Sequence, residues 1–300
     1  MRSTQERVGY GWPALGPVKE ENIMGLQINH NMAAYNAYRN LSTTESQMAK
    51  SLEKLSSGYR INRAADDAAG LAISEGLRSQ IGGLTVASRN AQDGTSVVQT
   101  AEGALTEVHS ILQRMRDLSV QAANDGSLDA NAKADLQSEV TQLNSELDRI
   151  ASKTTYNNVN LLDGTYNGNF QVGYASGDQL TVTIDNGTAT KGFSSTDLAV
   201  STVDLTASPS AAITSVDAAI QKVSTARANL GAVQNRFEHV VNSVNVAVEN
   251  LTASESRIRD TDMASEMVNF TRTQILQQAG TAMLAQANQA PQSVLQLLRG

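Results

Sequence analysis

The chain of 300 residues contains no cysteine, which removes disulfides, thiol catalysis and cysteine-based metal sites together. A chain without bridges suits the outside of a cell as well as the cytosol. Aromatic residues make up only 4%. Globular cores draw much of their buried area from Phe, Tyr and Trp, so thin helical layers of Leu, Val, Ile and Ala are expected. The hydrophobic content of 40% still provides for a sizeable core. Positive charge is the scarcer sign, with 23 Lys and Arg against 30 Asp and Glu, a net charge of -7. That balance, with no basic cluster, argues against a nucleic-acid binder. Apolar runs fall short of the ~18 residues a membrane span needs, so no membrane insertion is expected. Residues 1–23 also lack the apolar centre of a secretory signal, because Gly9, Gly11, Pro13, Gly16 and Pro17 interrupt them. Export, if it occurs, is expected to need no cleaved leader.

Motifs that carry chemistry are missing too. His30, His109 and His239 are scattered, and no His-Glu-x-x-His spacing occurs; His109 and His239 are expected on helix surfaces. No Gly-rich phosphate loop follows a strand, and no serine occupies a Gly-x-Ser-x-Gly elbow. Asp66 and Glu75 are the nearest thing to an acid/base pair, and carboxylates in such a helical region are ordinarily solvated charges. These residues therefore offer no catalytic, cofactor-binding or metal-binding constellation. Asn186-Gly187-Thr188 matches a glycosylation acceptor, although a hairpin turn explains the same residues.

What the sequence does contain is helical periodicity. Stepping by four and three from Val216 gives Ile220, Val223, Arg227, Leu230, Gln234, Phe237, Val241, Val244, Val248, Leu251, Glu255 and Ile258, of which ten of thirteen positions are apolar. An unbroken 3.5-residue repeat marks a helix that packs along other helices, and this one would be about 65 Å long. Periodicity alone leaves a bundle helix and a filament rod both open. Arg227, Gln234 and Glu255 are the polar seam positions, candidates for fixing register or for places where the seam meets solvent. A second seam runs through Leu84, Ala91, Val98, Leu105 and Leu112, with Ala87, Gly94, Ala101, Val108 and Met115 three residues on. A third holds Leu136, Val140, Leu143, Leu147 and Ile150. Residues 31–55 read as a helix with Leu41, Met48, Leu52 and Leu55 on one face. The last helix carries Val268, Ile275 and Ala282 beside Leu276, Met283, Ala290 and Leu297.

Between residues 154 and 210 the period changes to two. Leu180, Val182 and Ile184 alternate with polar residues, as do Phe170 and Val172, and Asp163-Gly164, Asn167-Gly168 and Asn186-Gly187 are expected to mark hairpins. The fold class expected is mainly α: a long antiparallel coiled-coil helical bundle with both termini helical and paired, plus a small β-hairpin-rich insert. Residues 1–23 read as a disordered tail or as residues upstream of the true start.

Particular segments then identify a family. Residues 56–74, SSGYRINRAADDAAGLAIS, closely resemble the N-terminal signature of bacterial flagellins, and residues 24–31, MGLQINHN, resemble a flagellin start. Residues 87–94 (ASRNAQDG), 100–105 (TAEGAL) and 113–124 (QRMRDLSVQAAN) extend the likeness. So do 228–237 (ANLGAVQNRF), 255–264 (ESRIRDTDMA) and 289–299.

The resemblance implies a non-enzymatic subunit that polymerises into the flagellar filament for swimming. Residues 25–67 with 261–300 would form the inner coiled coil, and 68–207 with 208–260 the rod. Terminal helices with narrow apolar faces are marginal alone and are expected to fold on assembly. Arg60, Arg63, Asp66 and Asp67 are the candidates for subunit contact. Arg114, Leu118 and Glu139 match positions at which the family meets the animal Toll-like flagellin receptor. The resemblance also implies an export chaperone, a filament cap and hook-junction proteins as partners, with export through the flagellar secretion channel. A hook-filament junction protein and a non-polymerising helical adaptor are the alternatives.

Overall fold

The computed structural model describes residues 30–299 except 125, 127 and 189, with side chains described through 289. The expected tail at residues 1–23 therefore lies outside the described residues. Among the described residues, five helices and four short strands follow in the order α1 (Met32–Ser57), α2 (Ala68–Ala122), α3 (Ala130–Lys153), β1 (Thr155–Tyr156), β2 (Val159–Asn160), β3 (Asn167–Gln171), β4 (Gln179–Thr183), α4 (Pro209–Arg259) and α5 (Met263–Arg299). They fall into two compact units. The first joins residues up to Asn62 with those from Thr261, and the second is Arg63–Asp260.

In the second unit α2 and α4 lie antiparallel along most of their lengths. Contacts fix the direction: Ser88 meets Asn245, Glu102 meets Arg227 and Arg116 meets Asp217, so each advance along α2 is matched by a retreat along α4. With 55 and 51 residues, the two helices are about 83 and 77 Å long at 1.5 Å per residue. The α2 seam anticipated from the heptad is buried throughout, from Leu84 and Ala87 to Leu112 and Met115. Each end has a local cause. The Asp67 carboxylate accepts the Gly70 N–H as N-cap of α2, Asp129 does the same for Ala132 at α3, and Pro209 opens α4 where its missing N–H costs nothing.

The seam of α4 departs from expectation by one step. Its buried row is Val216, Ala219, Val223, Ala226, Leu230 and Phe237, so the alternate positions are Ala219 and Ala226 rather than Ile220 and Arg227. Small side chains let α2 come close, and Ile220, Arg227 and Gln234 are moved to a half-buried flank. A close approach is at Gly94 of α2, where an added methyl would stand 2.5 Å from the Phe237 ring. That ring in turn meets Phe170 of β3 edge-on, with centroids 5.4 Å apart and planes at 87°.

The insert contains two antiparallel pairs, β1 with β2 and β3 with β4, Phe170 facing Leu180 in the second. Leu180, Val182 and Ile184 are buried as their alternation predicts. The hairpin assignments need correction, since Asp163-Gly164 and Asn186-Gly187 lie outside both pairs. Asn167-Gly168 is no turn, since both residues lie in β3 opposite Thr183 and Val182. The tight β1–β2 turn is instead Asn157-Asn158, with φ of 48° and 63°, the positive φ pair that a two-residue hairpin demands and that asparagine tolerates. Most of the insert is irregular and is tied to α3 through side chains. Gln137 binds Val203 O and Leu205 N, Asn144 donates to Val200 O, and Asp148 accepts from Ser195 N and Oγ.

In the first unit α1 and α5 pair antiparallel. Asn31 Nδ2 donates to Ala287 O at one end, and Thr261 N donates to Gly58 O at the other. Gly58 ends α1 at φ 77°, in the left-handed region that a C-cap glycine enters without strain.

Candidate functional site

Among the described residues no group of three or more His, Asp or Glu side chains could hold a metal, and no helix is long and apolar enough to cross a membrane. His239 is exposed, while His109 is half-buried and within 2.9 Å of Gln113. Asn186 is buried, with Nδ2 donating to both Gly192 O and Asp197 O, so the possible glycosylation acceptor is committed to holding its own loop.

The distinctive surface belongs to the first unit. The less exposed row of α1 is Ala34, Ala37, Leu41, Thr44, Met48 and Ser51, and that of α5 is Phe270, Thr273, Gln277, Gly280, Leu284 and Ala287. Both rows step by three and four, as a coiled-coil seam does, but they are largely small or polar. Leu41 packs at Gly280, where an added methyl would stand 3.2 Å from its Cδ1. Only one large apolar side chain among the unit's described residues, Ile61, is fully buried.

Leu41, Met48, Phe270 and Leu284 are the large members of these rows, and most other bulky apolar residues of the two helices face solvent. Met32, Tyr35, Tyr38 and Leu52 do so on α1, and Met267, Val268, Ile275, Leu276 and Met283 on α5; Tyr35 is 70% and Ile275 60% exposed. Leu52 is thus removed from the α1 face on which it was expected. The apolar stripe expected on the last helix exists but is not the side covered by α1; its Ala290 and Leu297 lie beyond the described side chains. Met267, Val268, Thr271, Arg272, Ile275 and Leu276 line an open groove of ≈ 470 Å³ on this stripe. Apolar side chains clustered in the open in this way are a candidate contact surface.

The residues singled out for subunit contact occupy the connection before α2. Arg60 is exposed in the first unit; Arg63 and Asp66 are exposed in the second, where the Arg63 N–H donates to the Asp66 carboxylate. Asp67 is half-buried and caps α2. Arg114 and Glu139 are brought together across α2 and α3, with Nε and Nη2 each 2.7 Å from Oε1. That partner raises the guanidinium pKa, first through the hydrogen bond and then through its charge. Leu118 is only 1% exposed and packs in the core below, a correction to its placement on a recognition surface. Arg227 reaches Glu102 at 3.7 Å, Gln234 donates to Glu238, and Glu255 is half-buried. No sequence motif flags Tyr35, Tyr38 or Met32; amphipathic reading of α1 alone could have found them.

The chain matches known proteins over most of its length. The family model for the bacterial flagellin N-terminal helical region matches residues 28–167, and that for the bacterial flagellin C-terminal helical region matches residues 213–298. The chain belongs to the bacterial flagellin family. A flagellin of Bacillus subtilis (strain 168) is 51% identical over 304 residues, covering 91% of this chain and 100% of its own. A flagellin of Halalkalibacterium halodurans is 53% identical over 275 residues, covering 91% and 99%. A crystal structure of Bacillus cereus flagellin is 36% identical, covering 52% of this chain and 88% of its own, with a TM-score of 0.45. As a flagellin, the chain is a structural subunit that polymerises into the filament of the bacterial flagellum, an extracellular appendage. The hook-junction and adaptor alternatives are not favoured beside these relatives.

Proposed function

We propose that the first unit is the part of this flagellin that holds the filament together, and that its outward apolar face is covered by neighbouring copies. The observation that carries this reading is the inversion of that unit, with a small and polar seam inside and Met267, Val268, Ile275 and Leu276 outside. Each such side chain removed from water contributes about 1.5–3 kcal/mol. A contact of this kind that does not close on itself propagates a helical polymer. Because α1 and α5 share so little core, the isolated subunit opens them readily, and they become stably folded on joining neighbours. Arg60 and Arg63 supply polar contacts along the polymer, with Asp66 shaping the turn that presents Arg63 and Asp67 capping α2.

The role is mechanical, not catalytic, and serves swimming. Following the family resemblance, the subunit passes through the flagellar secretion channel with an export chaperone and is placed by cap and hook-junction proteins. Arg114 and Glu139 then form the part of the rod that an animal Toll-like receptor meets, with Leu118 supporting them from beneath. Seeded polymerisation followed by electron microscopy tests the central claim. Filaments are expected from the wild-type chain, with fast amide exchange in α1 and α5 of the dilute subunit and slow exchange after assembly. Protected terminal helices in the dilute subunit would sink the coupled folding.

A further inference from the structure

Methionine is distributed unevenly over this chain. Of its eight methionines, the second unit holds only Met115, which is fully buried in the α2 seam. Met48 is half-buried in the first unit, while Met32, Met263, Met267 and Met283 of the same unit are 63%, 46%, 51% and 64% exposed. Met267 also lines the groove with Val268, Ile275 and Leu276. A flexible, polarisable thioether suits a surface that must fit neighbouring copies. The same exposure leaves its sulfur open to two-electron oxidants.

We propose that Met32, Met263, Met267 and Met283 are modification sites for peroxide-class oxidants, and that sulfoxide at these positions switches the subunit out of assembly. The proposal rests on the reading that this face is buried between copies. In the reaction a sulfur lone pair attacks one oxygen of hydrogen peroxide. An S–O bond forms, the O–O bond breaks, and the departing oxygen leaves as water after taking up the remaining proton. The thioether is oxidised to sulfoxide, and the peroxide supplies the oxygen and is reduced. At Met267 the product carries a polar, chiral S–O group into a groove lined by Val268, Ile275 and Leu276, with Thr271 and Arg272 its polar groups, and at Met32, Met263 and Met283 it puts the same group on exposed positions of α1 and α5. Subunits oxidised before assembly lose the fit, those already in a filament are shielded, and methionine sulfoxide reductases restore the thioether.

The test treats the purified full-length chain with hydrogen peroxide, maps sulfoxide by peptide mass spectrometry, and follows seeded polymerisation. Sulfoxide is expected at Met32, Met263, Met267 and Met283 but not at Met115. The critical concentration should rise by about tenfold or more, as expected when polar groups enter an apolar contact. Treatment with the two methionine sulfoxide reductases should return it to the starting value. A chain carrying Met32→Leu, Met263→Leu, Met267→Leu and Met283→Leu should polymerise equally with and without peroxide. If those changes themselves weaken polymerisation, reductase rescue of the wild-type chain decides. Sulfoxide at these positions with polymerisation unchanged, or a loss the reductases do not reverse, overturns the switch while leaving the assembly reading intact. An untreated wild-type chain that never polymerises overturns both.

Discussion

The two units use the same helical period and put its apolar residues in opposite places. In the second, the α2 row from Leu84 to Met115 and the α4 row from Val216 to Phe237 face each other and are buried. In the first, the facing rows are rich in Ala, Ser, Thr and Gln with only Leu41, Met48, Phe270 and Leu284 as large apolar members, and most other large apolar residues of α1 and α5, from Met32 to Met283, face solvent. A 3.5-residue repeat therefore says that a helix has an apolar stripe; it does not say which neighbour covers the stripe. Where the partner lies in the same chain, the stripe makes a stable subunit, and where it lies in another copy the stripe makes a polymer.

The sharpest way to break this contrast is to place charge on the exposed stripe. With Ile275→Asp and Leu276→Asp together, each carboxylate would have to be desolvated in a contact that offers it no designed partner, a cost of several kcal/mol per ion. Polymerisation should be lost under conditions where the wild-type chain forms filaments, while urea unfolding of the second unit should be unchanged. Filaments at the wild-type critical concentration would mean that this face is not an assembly surface. The reciprocal change is Phe237→Ala, which empties the space between Gly94 and Phe170. It should destabilise the second unit by about 3–5 kcal/mol, read as a lowered urea midpoint by far-UV circular dichroism. A loss below about 1 kcal/mol would show that the site collapses around the cavity.

A smaller effect is expected where the insert is held by polar groups. Asp148→Ala removes the acceptor of both Ser195 N and Ser195 Oγ. Leaving such donors unsatisfied costs about 1–3 kcal/mol. Amide exchange in residues 193–205 should accelerate, with α2 and α4 protected as before. Uniform acceleration through α2 would instead make the insert part of one cooperative block with the rod.

Much of the second unit was legible because its contacts are local in pattern. The α2 heptad needed only apolar residues seven apart, and all its predicted seam positions are buried. On α4 the reading slipped because Ala219 and Ala226 are weak hydrophobic signals, whereas the larger Ile220 and the stem of Arg227 attract notice from the flank. The β1–β2 turn was missed because Asn157-Asn158 lacks the glycine usually sought, although asparagine also tolerates positive φ. Asn167-Gly168 looked like a turn because sequence does not reveal pairing across a strand. For Leu118, motif likeness gave position but not depth. The exposed stripe of the first unit was visible as residues on the last helix; that it faces outward depends on the small seam opposite, which emerges only when α1 and α5 are paired.

The smallest effect concerns acid, which should touch the second unit through carboxylates held low by hydrogen bonds. The Asp204 carboxyl lies below its ordinary range, chiefly because Thr206 Oγ1 donates to it, then Thr206 N and Ala207 N. A depressed folded pKa contributes stability that is present above the unfolded value, about 4 for aspartate, and is lost as pH falls through the folded value. The turn before α4 should therefore loosen only below about pH 4, and slightly, because the group is fully exposed. Thr206→Val removes the largest cause. It should move the Asp204 titration, followed by the side-chain carboxyl signal in NMR, upward toward the ordinary value. The acid limb of unfolding should shift a little to higher pH with it, while polymerisation at neutral pH, assigned to the first unit, should not respond. An unmoved Asp204 titration would mean that the backbone donors hold the carboxylate without the hydroxyl.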